Sequence, residues 1–244
     1  MNKLGLIGYP LSHSFSPEIF KTIFDKENLN DWEYQLYPIE HIQELEQLLV
    51  EESLKGFNVT IPHKQTILNY CDELSENATI IGAVNCVKVI IKYGRRHLIG
   101  ENTDYIGFES SLMNWYKGNL KKALVLGNGG SSKAVKLVLE NNQIDYLNIS
   151  RNNTALNYSD LNRIHFSEFD LIVNCTPVGM FPNVDDILPL PYNEITQQHH
   201  FYDLVYNPIH TKMMNLFLSK GAKVKNGEEM LQLQAEAAWD FFKK

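Results

Sequence analysis

Short apolar runs alternate along the chain with stretches whose apolar residues recur every three or four positions, a pattern that predicts α/β units around a largely parallel sheet. Leu4 to Ile7 reads as the first strand. It leads through Tyr9-Pro10 into Ser12-His13-Ser14-Phe15-Ser16-Pro17, where Ser16 is expected to cap a helix that has Pro17 at its first position and Ile19, Phe20, Ile23 and Phe24 on its apolar face. Trp32, Tyr34 and Leu36 alternate as a second strand, Ile42, Leu45 and Leu48 mark a helix, and Phe57, Val59 and Ile61 alternate again before Pro62. Val84 to Ile91 and His97 to Gly100 flank Lys92-Tyr93-Gly94-Arg95-Arg96, which reads as a hairpin closed by a basic turn.

The pattern changes near Asp104. Phe108, Leu112 and Trp115 form a helical stripe that ends at Gly118 and gives way to the apolar strand Ala123 to Leu126. A glycine-rich turn, a helix from Ser131 to Glu140 and strands at Tyr146–Ile149 and Leu171–Val173 follow, which make a second α/β unit. From Glu228 to Phe242 one helical face carries Met230, Leu231, Ala235, Ala238, Trp239 and Phe242, and this segment is expected to pack back on the first domain. The predicted organisation is therefore an α/β domain over residues 1–104, joined by 228–244, and a Rossmann-type dinucleotide-binding domain over 105–227.

Composition narrows the function classes. With 44% hydrophobic and 21% charged residues the chain has the balance of a folded globular protein, and at 244 residues it has room for two modest domains. A net charge of -7 gives no electrostatic reason to hold nucleic acid, so a small molecule in a local pocket is the expected partner. The three cysteines, Cys71, Cys86 and Cys175, are odd in number and lack metal-ligand spacing, so reduced thiols are expected and no metal. No signal peptide or membrane-length apolar run is visible, which points to the cytoplasm. Composition leaves open whether the protein is a monomer or a homodimer.

The turn Leu126-Gly127-Asn128-Gly129-Gly130-Ser131-Ser132-Lys133-Ala134 joins a strand to a helix, the context in which a G-x-G pattern signals a dinucleotide. Gly127 can make the tight turn, Gly129 can let the backbone approach a pyrophosphate, and the amides of Asn128, Gly130 and Ser131 open the helix as donors at its positive end. An NAD site would carry a carboxylate about 20 residues on to bind the ribose hydroxyl, which would repel a 2′-phosphate. Here the next strand ends Ser150-Arg151-Asn152-Asn153. Arg151 offers a guanidinium to a 2′-phosphate and Ser150 and Asn152 add neutral hydrogen bonds, so NADP is the expected cofactor.

Taken together with that turn, other segments in register resemble the shikimate dehydrogenase family. They are Ile7-Gly8-Tyr9-Pro10-Leu11-Ser12-His13-Ser14, Gly56-Phe57-Asn58-Val59-Thr60-Ile61-Pro62-His63-Lys64, Gly82-Ala83-Val84-Asn85, Glu101-Asn102-Thr103-Asp104, Asn174-Cys175-Thr176-Pro177-Val178-Gly179-Met180, Tyr202-Asp203-Leu204-Val205-Tyr206-Asn207-Pro208, and Gly227 with Met230-Leu231 and Gln234-Ala235. The resemblance implies an NADPH-dependent enzyme that interconverts 3-dehydroshikimate and shikimate in the route to aromatic amino acids. It implies Lys64 and Asp104 as the catalytic pair, Ser12 and Ser14 on the substrate carboxylate, and Thr60, Asn85, Tyr206 and Gln234 as further substrate contacts. Thr176, Met180, Val205 and Gly227 are implied at the nicotinamide. Apart from that motif, Lys64 would read as a surface lysine, Asp104 as a helix cap and Met180 as a core residue at the end of a buried strand. Asn58 reads as structural. The chain departs from the family pattern at Tyr105, where glycine is common, at Cys86, where threonine is common, and after Arg151, where a second basic residue is often found. Two other readings share the motifs: a quinate/shikimate dehydrogenase that also takes NAD, and a ligand-binding regulator without turnover, against which the presence of both Lys64 and Asp104 argues.

Overall fold

The computed structural model describes residues 1–12, 14–151 and 156–244, without the side chains of 162 and 163. These residues divide into two compact units, Met1–Ile106 with Gln232–Lys244, and Gly107–Leu231.

In the first unit the chain runs through β1 (Asn2–Gly8), α1 (Ser16–Lys26), β2 (Trp32–Pro38), α2 (Leu45–Leu48), β3 (Leu54–Val59), β4 (Glu73–Leu74), α3 (Glu76–Ile81), β5 (Cys86–Lys92) and β6 (Arg95–Glu101) before α4 (Asp104–Trp115) begins. The strands form one sheet in the order β2-β1-β3-β5-β6-β4. β1 is parallel to β2 and β3, whereas β5 is antiparallel to both β3 and β6. β4 is parallel to β6, so the sheet is largely parallel as expected, with β5 alone running against its neighbours. The turn of the β5–β6 hairpin is the two residues Tyr93 and Gly94, both at positive φ, and Arg95 and Arg96 lie in β6 rather than in a basic turn.

Three further local expectations are corrected. Helix α1 starts at Ser16 with Phe15 as its cap residue and no capping side chain, so Ser16 is not the cap and Pro17 is not the first helical position. Ser14 Oγ instead accepts the Ser16 N–H at 3.3 Å, and the buried Ser16 hydroxyl accepts from Ser14 Oγ at 3.2 Å. β3 ends at Val59, and Ile61 lies exposed beyond it, because the chain leaves the sheet there and the Ile61 carbonyl accepts from Tyr9 N. Residues Ile42–Glu44 wind as a 3-10 turn ahead of α2, so the expected helix there is broken into two short pieces.

The second unit is built from β7 (Lys122–Leu126), α5 (Gly130–Asn141), β8 (Asp145–Ile149), β9 (Leu171–Asn174), β10 (His200–Asp203), α6 (Lys212–Leu218) and β11 (Lys223–Lys225). All of its strand pairs are parallel, in the order β11-β10-β9-β7-β8. β7 has β8 on one side and β9 on the other, so the connection direction reverses at β7, which is the switch point where open α/β sheets bind ligands. The chain then enters α7 (Glu228–Lys243), whose last residues belong to the first unit. There Ala235, Ala238, Trp239 and Phe242 pack with Leu4, Phe20, Ile23 and Phe24 on one face of the first sheet. Ile7, Phe57, Val59, Val87 and Leu98 fill the other face with Leu45, Leu48 and Ile67. Burial on both faces explains why the central strands read as continuous apolar runs. Among the described residues no helix is long and apolar enough to cross a membrane.

His200 opens β10 buried, edge-on to Trp115 and Tyr116 at ring-centroid distances of 5.6 and 4.6 Å, and neither ring nitrogen has a hydrogen-bond partner among the described residues. Burial lowers its pKa from the ordinary 6.5. The unfolded chain therefore binds the extra proton first, so stability is complete above that ordinary value and falls as pH drops below it. Thermal melting of His200→Phe between about pH 7 and 5 should show a shallower acid loss than the parent protein, and identical slopes would count against this assignment.

Candidate active site

Four chain segments meet at one end of the first sheet. β1 and β3 are parallel and neighbouring, so the residues after each emerge side by side, and Thr60 N donates to Ile7 O at 2.9 Å. β5 runs the other way, which brings Asn85, just before it, against β3 through Val59 N to Asn85 O at 2.8 Å. β6 returns to the same end, so Asp104 follows at the start of α4.

At that end Lys64 Nζ donates to Asp104 Oδ2 at 2.5 Å, with side chains only 14% and 7% exposed, so solvent screens the ion pair weakly. Asp104 Oδ1 accepts from Asn85 Nδ2 at 2.8 Å. Thr103 N donates to Asn85 Oδ1 at 2.7 Å, which fixes the amide orientation and turns Nδ2 toward Asp104 Oδ1, Thr103 Oγ1 and Gln234 Oε1. Asn102 Oδ1 accepts from Asp104 N, while its amide donates to Ala83 O. The Asp104 carboxylate is therefore directed at Lys64 and Asn85, and Asp104 itself is the first residue of α4. Lys64, Asn85, Asp104 and Gln234 are brought into one cluster.

A line of buried polar groups leads away from it. Asn58 Nδ2 donates to Asn85 O at 3.2 Å and Asn58 Oδ1 accepts from Tyr34 OH at 2.9 Å. Burial drives the Tyr34 phenol pKa well up, with Ser16 nearby pulling it partly back. Ser16 in turn meets Ser14. Asn58 is thus structural, as its pattern suggests. Ser12 is exposed on the turn before α1, and Thr60 is half-buried beside Gly8. Tyr34, Asn102 and Thr103 are the members that periodicity and motif reading passed over. Tyr34 reads only as an alternating strand residue, and nothing local marks its hydroxyl.

In the second unit the turn Gly127–Gly130 lies at the carboxyl end of β7, beside the segment after β9. Gly127 has φ +107°, and a side chain there would meet Thr176 Cγ2 at 2.9 Å, so glycine is required. Gly129 is the cap residue of α5 and has nothing within 4 Å of where a Cβ would stand, so the helix mouth is open. Asn128 is exposed and accepts from Lys136 Nζ, Gly130 is the first residue of α5, and Ser131 follows it half-buried. At the end of β8 the Ser150 hydroxyl is buried without a hydrogen-bond partner among the described residues, and Arg151 is exposed. Asn152 lies outside the described residues. Burial pushes the nearby Tyr158 phenol up to about 12, with the Arg151 guanidinium pulling it partly back.

Thr176 donates through its N–H and hydroxyl to Asn174 Oδ1 at 3.0 and 2.7 Å. Met180 stands six positions past the end of β9 and is 38% exposed, so it is not a core residue at a strand end. Val205 is buried, Tyr206 is half-buried with its pKa raised by burial, and Gly227 N donates to Val205 O at 3.1 Å. A side chain at Gly227 would stand 2.1 Å from Leu204 O.

Residues 6–87 match the shikimate dehydrogenase substrate binding domain. The chain is 39% identical over 254 residues to the NADP(+) shikimate dehydrogenase of Clostridium botulinum, covering 98% of this chain and 95% of that protein. The chain belongs to the shikimate dehydrogenase family. Among solved shikimate dehydrogenases, that of Peptoclostridium difficile superposes with a TM-score of 0.87 at 35% identity, covering 100% of this chain and 92% of its own. The Thermus thermophilus shikimate 5-dehydrogenase, solved in complex with NADP(H) and shikimate, superposes at 0.84 with 30% identity, covering 99% and 93%. The two-domain shikimate dehydrogenase fold, a substrate domain followed by a Rossmann-like dinucleotide domain, is the fold of this chain. The matched domain holds Ser12, Ser14, Thr60, Lys64 and Asn85, while Asp104 and Gln234 lie beyond it in sequence.

Proposed function

We propose that this chain catalyses the reversible NADPH-dependent reduction of 3-dehydroshikimate to shikimate, a step toward chorismate and the aromatic amino acids, and that it works in the cytoplasm. The observation that carries the reading is the buried Lys64–Asp104 pair, held by Asn85, in a chain of this family. The second unit fits the cofactor. It offers an open helix mouth above Gly129 and a buried Ser150 hydroxyl without a partner among the described residues, followed in the chain by Arg151. Gly127, Asn128, Gly129, Gly130 and Ser131 would hold the pyrophosphate, and Ser150, Arg151 and Asn152 the 2′-phosphate ribose. Thr176, Met180, Val205 and Gly227 would line the nicotinamide.

When bound, NADPH supplies the hydride that adds to the ketone carbon. Lys64 Nζ gives a proton to the carbonyl oxygen as that oxygen gains charge, and in the reverse direction takes it back. An ammonium carries three protons, and one of them goes to Asp104. Asp104 thereby fixes the position of Nζ and can accept a hydrogen bond from a ring hydroxyl, while Asn85 keeps the carboxylate turned inward. Ser12 and Ser14 hold the substrate carboxylate with neutral donors near the start of α1. Thr60 and Gln234 complete the contacts of the first unit to the hydroxylated ring.

The direct test is nicotinamide absorbance when shikimate and NADP are added to the purified protein. Appearance of the reduced cofactor supports the reading, and no turnover under conditions where the fold is intact would remove it. Within this reading, Ser14→Ala should weaken shikimate by about 1–2 kcal/mol through the lost bond to a charged group. A substrate analogue without the carboxylate should bind both proteins alike, and an equal loss for that analogue would contradict the role of Ser14.

A further inference from the structure

We propose that Asp203 is a positioning residue for the nicotinamide end of the cofactor, its carboxylate binding together the chain segments that follow β9 and β10. The proposal rests on the dinucleotide reading of the second unit given above.

Asp203 is fully buried at the carboxyl end of β10, in register with Asn174 at the end of β9. Its Oδ1 accepts from Asn174 Nδ2 at 2.9 Å and from Val205 N at 3.1 Å, and its Oδ2 accepts from Thr211 Oγ1 at 2.7 Å. Asn174 passes the constraint on, because its Oδ1 accepts both the N–H and the hydroxyl of Thr176, whose Oγ1 then accepts Val178 N at 3.2 Å. One carboxylate thus anchors Thr176 through Asn174 and Val205 directly, and Val205 O in turn holds the N–H of Gly227.

The geometry requires a group that only accepts. Asn174 must present its amide N–H, since its oxygen is taken by Thr176. Val205 N–H can only donate. Thr211 Oγ1 already accepts Met214 N at the start of α6, which leaves its proton for Asp203. An amide at 203 would set an NH2 against one of three donors, leaving a buried polar group unsatisfied. A carboxylate is costly to bury, and a packed apolar side chain could fill the space without that cost. What the carboxylate adds is a fixed placement of Thr176 and Val205. The titratable groups facing it are the Cys175 thiol and the Tyr192 phenol, both raised mainly by burial and further by the Asp203 charge. Burial lifts Asp203 itself to about 6 while its three hydrogen bonds hold it down. Protonation below that value replaces one acceptor by a donor and loosens the same network.

The test compares two ligands by calorimetry: NADPH, and 2′-phospho-ADP-ribose, which lacks the nicotinamide. In Asp203→Asn the affinity for NADPH should fall about tenfold while that for the fragment stays within about twofold, the loss of one or two hydrogen bonds at one end of the ligand. In the parent protein the ratio of the two affinities should drop as pH falls through about 6, and in Asp203→Asn that ratio should be flat. Thr211→Val, which keeps the carboxylate but removes one donor, should show the same selectivity to a smaller degree, with Thr211→Ser restoring it. This pair carries the comparison if Asp203→Asn does not fold. Equal loss for both ligands, or undiminished NADPH binding, would overturn the positioning role. Failure of the parent protein to bind either ligand would instead overturn the dinucleotide reading itself.

Discussion

Lys64→Ala should lower kcat by roughly a hundredfold or more in both directions while changing the shikimate KM much less. The asymmetry follows from where the ammonium acts. In the ground state the ketone or hydroxyl oxygen is neutral and needs little from Nζ, whereas in the transition state that oxygen is gaining or losing charge and proton together. Because only 14% of the Lys64 side chain and 7% of that of Asp104 is exposed, water does not readily replace the missing cation. The variant also leaves the Asp104 carboxylate buried beside Asn85 without its cation, so its melting temperature should drop as well. Steady-state kinetics with shikimate and NADP, read against a melting curve to establish that the variant is folded, decide the matter. A kcat within about threefold of the parent would take Lys64 out of the proposed chemistry.

For the cofactor, Arg151→Ala should raise the NADP constant by roughly tenfold to a hundredfold and leave that for NAD nearly unchanged. A charge-assisted hydrogen bond to the 2′-phosphate is worth about 1.5–3 kcal/mol, and NAD has no such group to lose. Arg151 is exposed at the end of β8, so its contribution is open to screening, and the preference of the parent protein for NADP should shrink as salt rises. The Ser150 hydroxyl, buried and without a partner among the described residues, is neutral and should contribute to both cofactors through the ribose. Kinetic constants for both cofactors at low and high ionic strength check this. Parallel weakening would mean that Arg151 stacks on the adenine without reading the phosphate, and a parent preference for NAD would reverse the specificity assigned here.

Much of this protein is written in its local sequence. The apolar runs at Leu4–Ile7, Ala123–Leu126 and Leu171–Val173 are strands buried on both faces, and the stripe from Ala235 to Phe242 is the helix that covers the first sheet. The glycine turn could be read because a backbone at φ +107°, tight against Thr176, admits only glycine, and such a requirement leaves a mark at a fixed position. Short elements are less legible: β4, β11 and α6 are too short to repeat a hydrophobic period twice, and residues 175–199 carry no α-helix between β9 and β10. The hairpin turn reads too long from sequence because Lys92, Arg95 and Arg96 suggest a loop, whereas pairing of Lys92 with Arg95 and of Ile91 with Arg96 carries the strands up to Tyr93 and Gly94.

Only the tertiary structure decided which polar side chains act together. Lys64 and Asp104 are distant in sequence, and Asn85 and Gln234 are further apart still, yet parallel β1 and β3 with antiparallel β5 and β6 bring Lys64, Asn85 and Asp104 to one end of the sheet, where α7 adds Gln234. The same holds for Tyr34, whose hydroxyl donates to Asn58, and for Asp203, whose three donors come from the ends of different strands and the start of a helix. A hydrophobic period reports which face of an element is buried. Hydrogen bonds between elements depend on strand order and register, and no spacing along the chain encodes those.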